Sequence, residues 1–136
     1  MDAREWNIKS SLATVQSVVD YATQHAFDPD AVDLTHCYSR RDKDGEADKT
    51  RMFLITYDIQ NEDIRNVLSL LRVSQYSYTS KKTGCLDAYV FGVHMPDVIE
   101  EDPLIYLKFQ IDNGFIIVTV HEADRELRFP YKEDLL

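Results

Sequence analysis

Residues 104–122 read LIYLKFQIDNGFIIVTVHE, two apolar runs on either side of one Asn113-Gly114 pair. This pattern limits the possible folds more than any other stretch of the chain. Asn-Gly between such runs is the strongest short-range signal for a two-residue type I′ hairpin, because both turn positions need φ > 0. A turn of fixed length sets the register. Asp112 then faces Phe115, Phe109 faces Val118, Lys108 faces Thr119 and Tyr106 faces His121. Side chains alternate between faces. Ile105, Leu107, Phe109 and Ile111, with Ile116, Val118 and Val120, therefore make an apolar face suited to a core. The other face carries Tyr106, Lys108, Gln110, Ile117, Thr119 and His121. Directly opposed residues lie about 4.5–5.5 Å apart at Cβ, so a phenol, an ammonium and an imidazole converge there. Such a trio can exchange a proton and hold an anion. Any half-exposed antiparallel sheet shows the same apolar and polar split, so a surface Tyr–His pair is the alternative reading.

Upstream, Ile8, Leu12, Val15, Val18, Val19 and Ala22 follow helical spacing and predict a helix over 4–25. Asp28 as N-cap before Pro29 predicts a short helix from Asp30 to Tyr38, with His36 at its surface. Residues 39–50 are a charged loop with a turn at Asp44-Gly45, and 52–59 fit either a strand or a helix. Asn61, Glu62 and Asp63 open a clearer helix over 61–71, striped by Ile64, Val67, Leu68 and Leu71. Turns are expected from Ser74 to Leu86, a strand over 88–93, and a loop over 95–103 whose acidic run Glu100-Glu101-Asp102 is a solvated turn. Arg125 to Tyr131 fit a short edge strand, where Pro130 is tolerated. The whole is one α+β domain over 1–136, helical over about 4–78 and a sheet over about 87–131. Its antiparallel sheet carries the N-terminal helices on one face.

At 136 residues and 44% hydrophobic content the chain can bury a real core. There is no apolar run of membrane-spanning length, and MDAREWNIKSS lacks a signal peptide's apolar stretch. Cys37 and Cys85 have neither metal nor redox spacing, which fits reduced thiols in the cytoplasm. The net charge of −9 argues against binding nucleic acid over the whole surface. Residues 64–86, however, contain no carboxylate and carry Arg65, Arg72, Lys81 and Lys82. They form either one basic face or a solvated helix side. The acidic surface also suits a non-catalytic inhibitor that mimics nucleic acid toward a basic partner. Phosphate loops, a nucleophile elbow and structural zinc spacings are all missing, and His94 with His121 lacks a third ligand. The candidate chemistry thus needs no cofactor and no metal.

Leu70-Leu71-Arg72-Val73-Ser74-Gln75-Tyr76, Ala88-Tyr89-Val90-Phe91-Gly92, Ile105-Tyr106-Leu107-Lys108-Phe109 and Val118-Thr119-Val120-His121-Glu122 together resemble the MqsR family, toxins of type II toxin–antitoxin systems. The likeness covers roughly 61–122. It implies a RelE-like fold, metal-independent cleavage of mRNA and a cognate antitoxin as protein partner. The family's catalytic Tyr matches Tyr106. Its second Lys falls at His121, its first Lys near Tyr78 and its Gln near Ala88, so one of four positions is kept by identity. In such chemistry the RNA 2′-hydroxyl is the nucleophile. His121 would be the general acid or base, an unperturbed imidazole titrating near 6.5. Tyr106 would orient the phosphate or exchange a proton, and Lys108 would hold the scissile phosphate. Tyr78, Lys81, Lys82 and Arg72 are the candidate RNA contacts, through stacking and charge.

Overall fold

The computed structural model describes residues 4–34 and 46–132. Within them the chain runs β1 (Glu5–Ile8), α1 (Leu12–His25), β2 (Val32–Asp33), α2 (Glu46–Thr56), α3 (Asn61–Ser69), β3 (Tyr76–Lys82), β4 (Ala88–Val93), β5 (Ile105–Asp112) and β6 (Phe115–Glu122). The strands form one six-stranded sheet in the order β1-β3-β4-β5-β6-β2. Only the β2–β6 pairing is parallel. The architecture is α+β.

The hairpin forms in the expected register, from Asp112 opposite Phe115 to Tyr106 opposite His121. Asn113 and Gly114 have φ of 50° and 90°, as a type I′ turn requires. The apolar face of β5 and β6 meets Phe91 and Val93 of β4, Val15, Val18, Val19 and Ala22 of α1, and Ile64 and Leu68 of α3 in one buried cluster. Burial of each large apolar side chain is worth about 1.5–3 kcal/mol, so this face anchors the fold.

Several elements differ from the sequence expectation, each for a local reason. Ser11 accepts a hydrogen bond from the Thr14 amide at 3.2 Å and starts α1 at Leu12. Residues 5–8, expected to be helical, instead pair with β3, placing Ile8 opposite Thr79. The helix expected from Asp30 gives way to β2, since Asp30 has φ of 57°. The rest of that stretch, with His36 and Cys37, lies outside the described residues, as does most of the charged loop. The end of that loop is instead the start of α2, and 52–56 are its last turns.

α2 lies along the outer edge of β6, where β2 pairs only two residues. The Val120 amide donates to the Thr50 hydroxyl at 3.1 Å, the Tyr57 hydroxyl donates to Glu122, and Lys49 pairs with Asp124 at 2.6 Å. The helix thereby satisfies and shields an edge that would otherwise be open to pairing. At the start of α3 the capping differs in detail from the expectation. The Gln60 amide donates to the Asp63 carboxylate at 2.8 Å, while Asn61 accepts from Arg65 at 2.7 Å.

β3 replaces the turns expected over 74–82, and it contains a one-residue bulge. Tyr76 faces Phe91, but Tyr78 faces Val90. The extra residue, Ser77, reverses the alternation, so Tyr76 enters the core while Tyr78 joins the opposite face.

Arg125 to Tyr131 do not join the sheet. They run as a strap across its second face. The Ala123 amide donates to the Leu104 carbonyl. Leu127 then packs with Val90 and Tyr106, and Phe129 sits against Gly92, where an added Cβ would lie 2.7 Å from the ring. Tyr131 finally enters the core, stacks on Tyr76 at 5.9 Å and donates to the Ser10 carbonyl. Among the described residues no helix is long and apolar enough to cross a membrane.

Candidate active site

The second face of the sheet is built by register alone. Gly92, Tyr106 and His121 stand in one row, and Val90, Lys108 and Thr119 in the next, with Tyr78 opposite Val90. Ala88 follows on the same face, opposite Ser80. The bulge at Ser77 and the two-residue turn at Asn113-Gly114 therefore bring Tyr78, Ala88, Tyr106 and His121, contributed by four strands, to one surface.

Tyr106 and His121 are stacked, with ring centroids 4.6 Å apart and 10° between their planes. His121 Nδ1 lies 2.8 Å from the Glu122 carbonyl oxygen. A carbonyl only accepts, so Nδ1 carries the hydrogen and the neutral ring keeps its lone pair on Nε2. Asp124 is close enough to feel His121. The hydrogen bond from Lys49 holds the Asp124 carboxyl below the usual carboxylate range, and the charges of Lys49, His121 and Arg125 act in the same direction. An imidazole with a phenol stacked on it and Nε2 left as its second nitrogen can exchange a proton there.

The site is covered. Tyr106 is 5% exposed, with Leu127 of the strap packed on it, and the stacked His121 is 6% exposed. Lys108 and Tyr78 are half-buried, and Lys82 is exposed on the same side of β3 as Tyr78. Lys81 alternates to the other side, where it pairs with Asp87 at 3.1 Å. Arg72 precedes the 3₁₀ turn Val73–Gln75 and stands off the sheet. Of the expected residues, Tyr106, His121, Lys108, Tyr78 and Lys82 share a face, while Lys81 and Arg72 do not join them. His94 pairs with Asp102 at 3.1 Å. Cys85 is an exposed free thiol. Among the described residues no three His, Cys, Asp or Glu side chains are grouped to hold one metal ion.

Sequence reasoning missed Asp124 and the cover over the pair. A signal for the cover existed: Leu127, Phe129 and Tyr131 alternate with Glu126, Arg128 and Lys132. The chain matches no protein-family model, no curated protein and no solved structure.

Proposed function

We propose that this chain is a metal-independent endoribonuclease, the toxin of a type II toxin–antitoxin pair acting in the cytoplasm. The observation that carries the reading is the stacked Tyr106–His121 pair, with the His121 hydrogen fixed on Nδ1. Support also comes from the four positions that the MqsR likeness marks, near Tyr78, near Ala88, Tyr106 and His121, lying on one face. In the reaction His121 Nε2 removes the proton of the RNA 2′-hydroxyl. The 2′-oxygen attacks phosphorus, the P–O5′ bond breaks, and the leaving oxygen is protonated by Tyr106 or by water. The products are a 2′,3′-cyclic phosphate and a 5′-hydroxyl. Lys108 neutralises charge on the phosphorane-like transition state. Since the pair is buried, RNA reaches it only when the Leu127 side chain swings aside, the strap backbone staying in place. A cognate antitoxin would act by holding or covering the same face.

The burial of the pair and the net charge of −9 favour a second reading, a non-catalytic protein that offers its acidic surface to a basic partner. One experiment separates the two. The purified chain is incubated with single-stranded RNA and EDTA, beside His121→Ala and Tyr106→Phe. The nuclease reading expects cleavage in EDTA, a 2′,3′-cyclic phosphate end, and a loss of about 10²–10⁴-fold in His121→Ala, the usual share of a general acid or base. Equal cleavage by His121→Ala rejects the assignment. Absence of cleavage on free RNA and in a ribosome-containing translation mix moves the function to the acidic binding protein.

A further inference from the structure

The strap builds a second feature that the proposed chemistry does not use. Its outer side, with Ser77 of β3 and Lys9 before α1, forms an open groove of about 520 Å³. That volume lies within the ~300–1,000 Å³ of ordinary ligand sites. Lys9, Arg128 and Lys132 all line it, against one carboxylate, Glu126. Among the described residues none of the three cations forms an ion pair. Lys9 instead lies 5.7 Å above the Tyr131 ring, a contact that leaves its charge intact. In a chain with 24 acidic and 15 basic residues, three cations around one groove that pair with no carboxylate among the described residues are an unexpected local reversal of charge. The alternation of the strap is the cause: Leu127, Phe129 and Tyr131 point inward, so Arg128 and Lys132 are held outward on a backbone pinned at both ends.

The groove adjoins the candidate site, with Leu127 as the wall between them. Leu127 lines the groove and also packs against Val90 and Tyr106. Ser77 leads directly into Tyr78 on the second face. A polyanion seated on Lys9, Arg128 and Lys132 would thus run toward Tyr78 and the Tyr106–His121 pair. Phe129 and Pro130 on the groove wall offer an apolar surface to a base or sugar.

We propose that this groove is a phosphate-backbone site for single-stranded RNA, holding the nucleotides that flank the cleaved bond. The proposal rests on the nuclease reading for its direction, but its test does not. Binding is measured by fluorescence anisotropy with a short single strand, 2′-O-methylated throughout so that it cannot be cleaved, over a salt series. The triple variant Lys9→Ala, Arg128→Ala, Lys132→Ala is expected to weaken binding by at least about tenfold. Its slope of log K against log salt should be shallower by about 2, three lost phosphate contacts at ~0.7 each. Glu126→Gln removes the opposing carboxylate and is expected to tighten binding, a gain that a misfolded protein cannot give. A triple variant with parental affinity and slope overturns the proposal. So does a parent that ignores the strand, or one that binds polyglutamate equally well. A parent that binds through the groove yet never cleaves unmodified RNA sinks the nuclease reading and leaves the groove assignment standing.

Discussion

Two buried contacts of the strap make separate demands on single residues. Gly92 has no side chain because Phe129 occupies the space; a Cβ would meet its ring atoms at 2.7 and 2.8 Å and Leu104 at 3.2 Å. Gly92→Ala should therefore cost about 1–3 kcal/mol by forcing the ring aside. Chemical denaturation measures it, and the cost should shrink when Phe129 is also cut to Ala. Equal penalties in both backgrounds would show that the ring is not the obstacle. Tyr131 makes a different kind of contact. Ser10, Tyr76 and Thr79 form a buried hydroxyl cluster, with Ser10 Oγ 2.6 Å from Thr79 Oγ1 and the Ser10 amide donating to Tyr76 at 2.9 Å. Tyr131 supplies the donor to the Ser10 carbonyl. Tyr131→Phe keeps the stacking on Tyr76 but removes that donor, for an expected loss of about 1–3 kcal/mol. A Phe variant as stable as the parent would mean that the carbonyl finds another partner.

At the scale of elements, α2 buries Phe53 and Leu54 in the core and is tied to β6 by polar contacts, one of which, just after the helix, is sensitive to pH. The Glu122 carboxylate accepting from the Tyr57 hydroxyl holds that phenol above its ordinary range, with burial and the charges of Glu122 and Glu101 adding to the effect. A group whose folded pKa is raised contributes stability below its unfolded pKa and loses it as pH rises through the folded value. The Tyr57 contact is thus present at neutral pH and fails only in the alkaline range. Absorbance titration should show Tyr57 ionising late alongside Tyr89, which burial also raises, and Glu122→Gln should bring Tyr57 alone back toward the others. An unchanged titration curve in that variant would assign the shift elsewhere. The elements also show what the sequence can carry. The β5–β6 hairpin was legible because its turn chemistry and alternation agree, and the stripe Ile64, Val67, Leu68 gave α3 directly. β1 was not legible, since Ile8 fits the helical spacing of α1 and only pairing with β3 makes it a strand. β2, two residues long, has no period at all. In the strap the alternation was legible, but period 2 reports an extended chain with one buried side, and the strap meets side chains rather than a backbone ladder.

For the whole molecule, the sheet separates two environments. One face holds the core with α1 and α3, and the other holds the candidate pair beneath the strap. The pairing of Tyr106 with His121 could be read from the turn alone, because a two-residue loop leaves no freedom of register. The cover over it could not, since it depends on a segment that crosses the strands instead of joining them. Tyr131 and Ser10 lie 121 positions apart in the chain. On a ribosome adding ~5–20 residues per second, that separation amounts to about 6–24 s. Over that interval the junction of β1 and α1 waits without its final contact, whereas Leu127 follows His121 by only six positions, so the row and its lid are made together. The last part of the fold to close is therefore the β1–α1 junction at Ser10, which stays a loose end of the sheet until the C-terminal strap arrives.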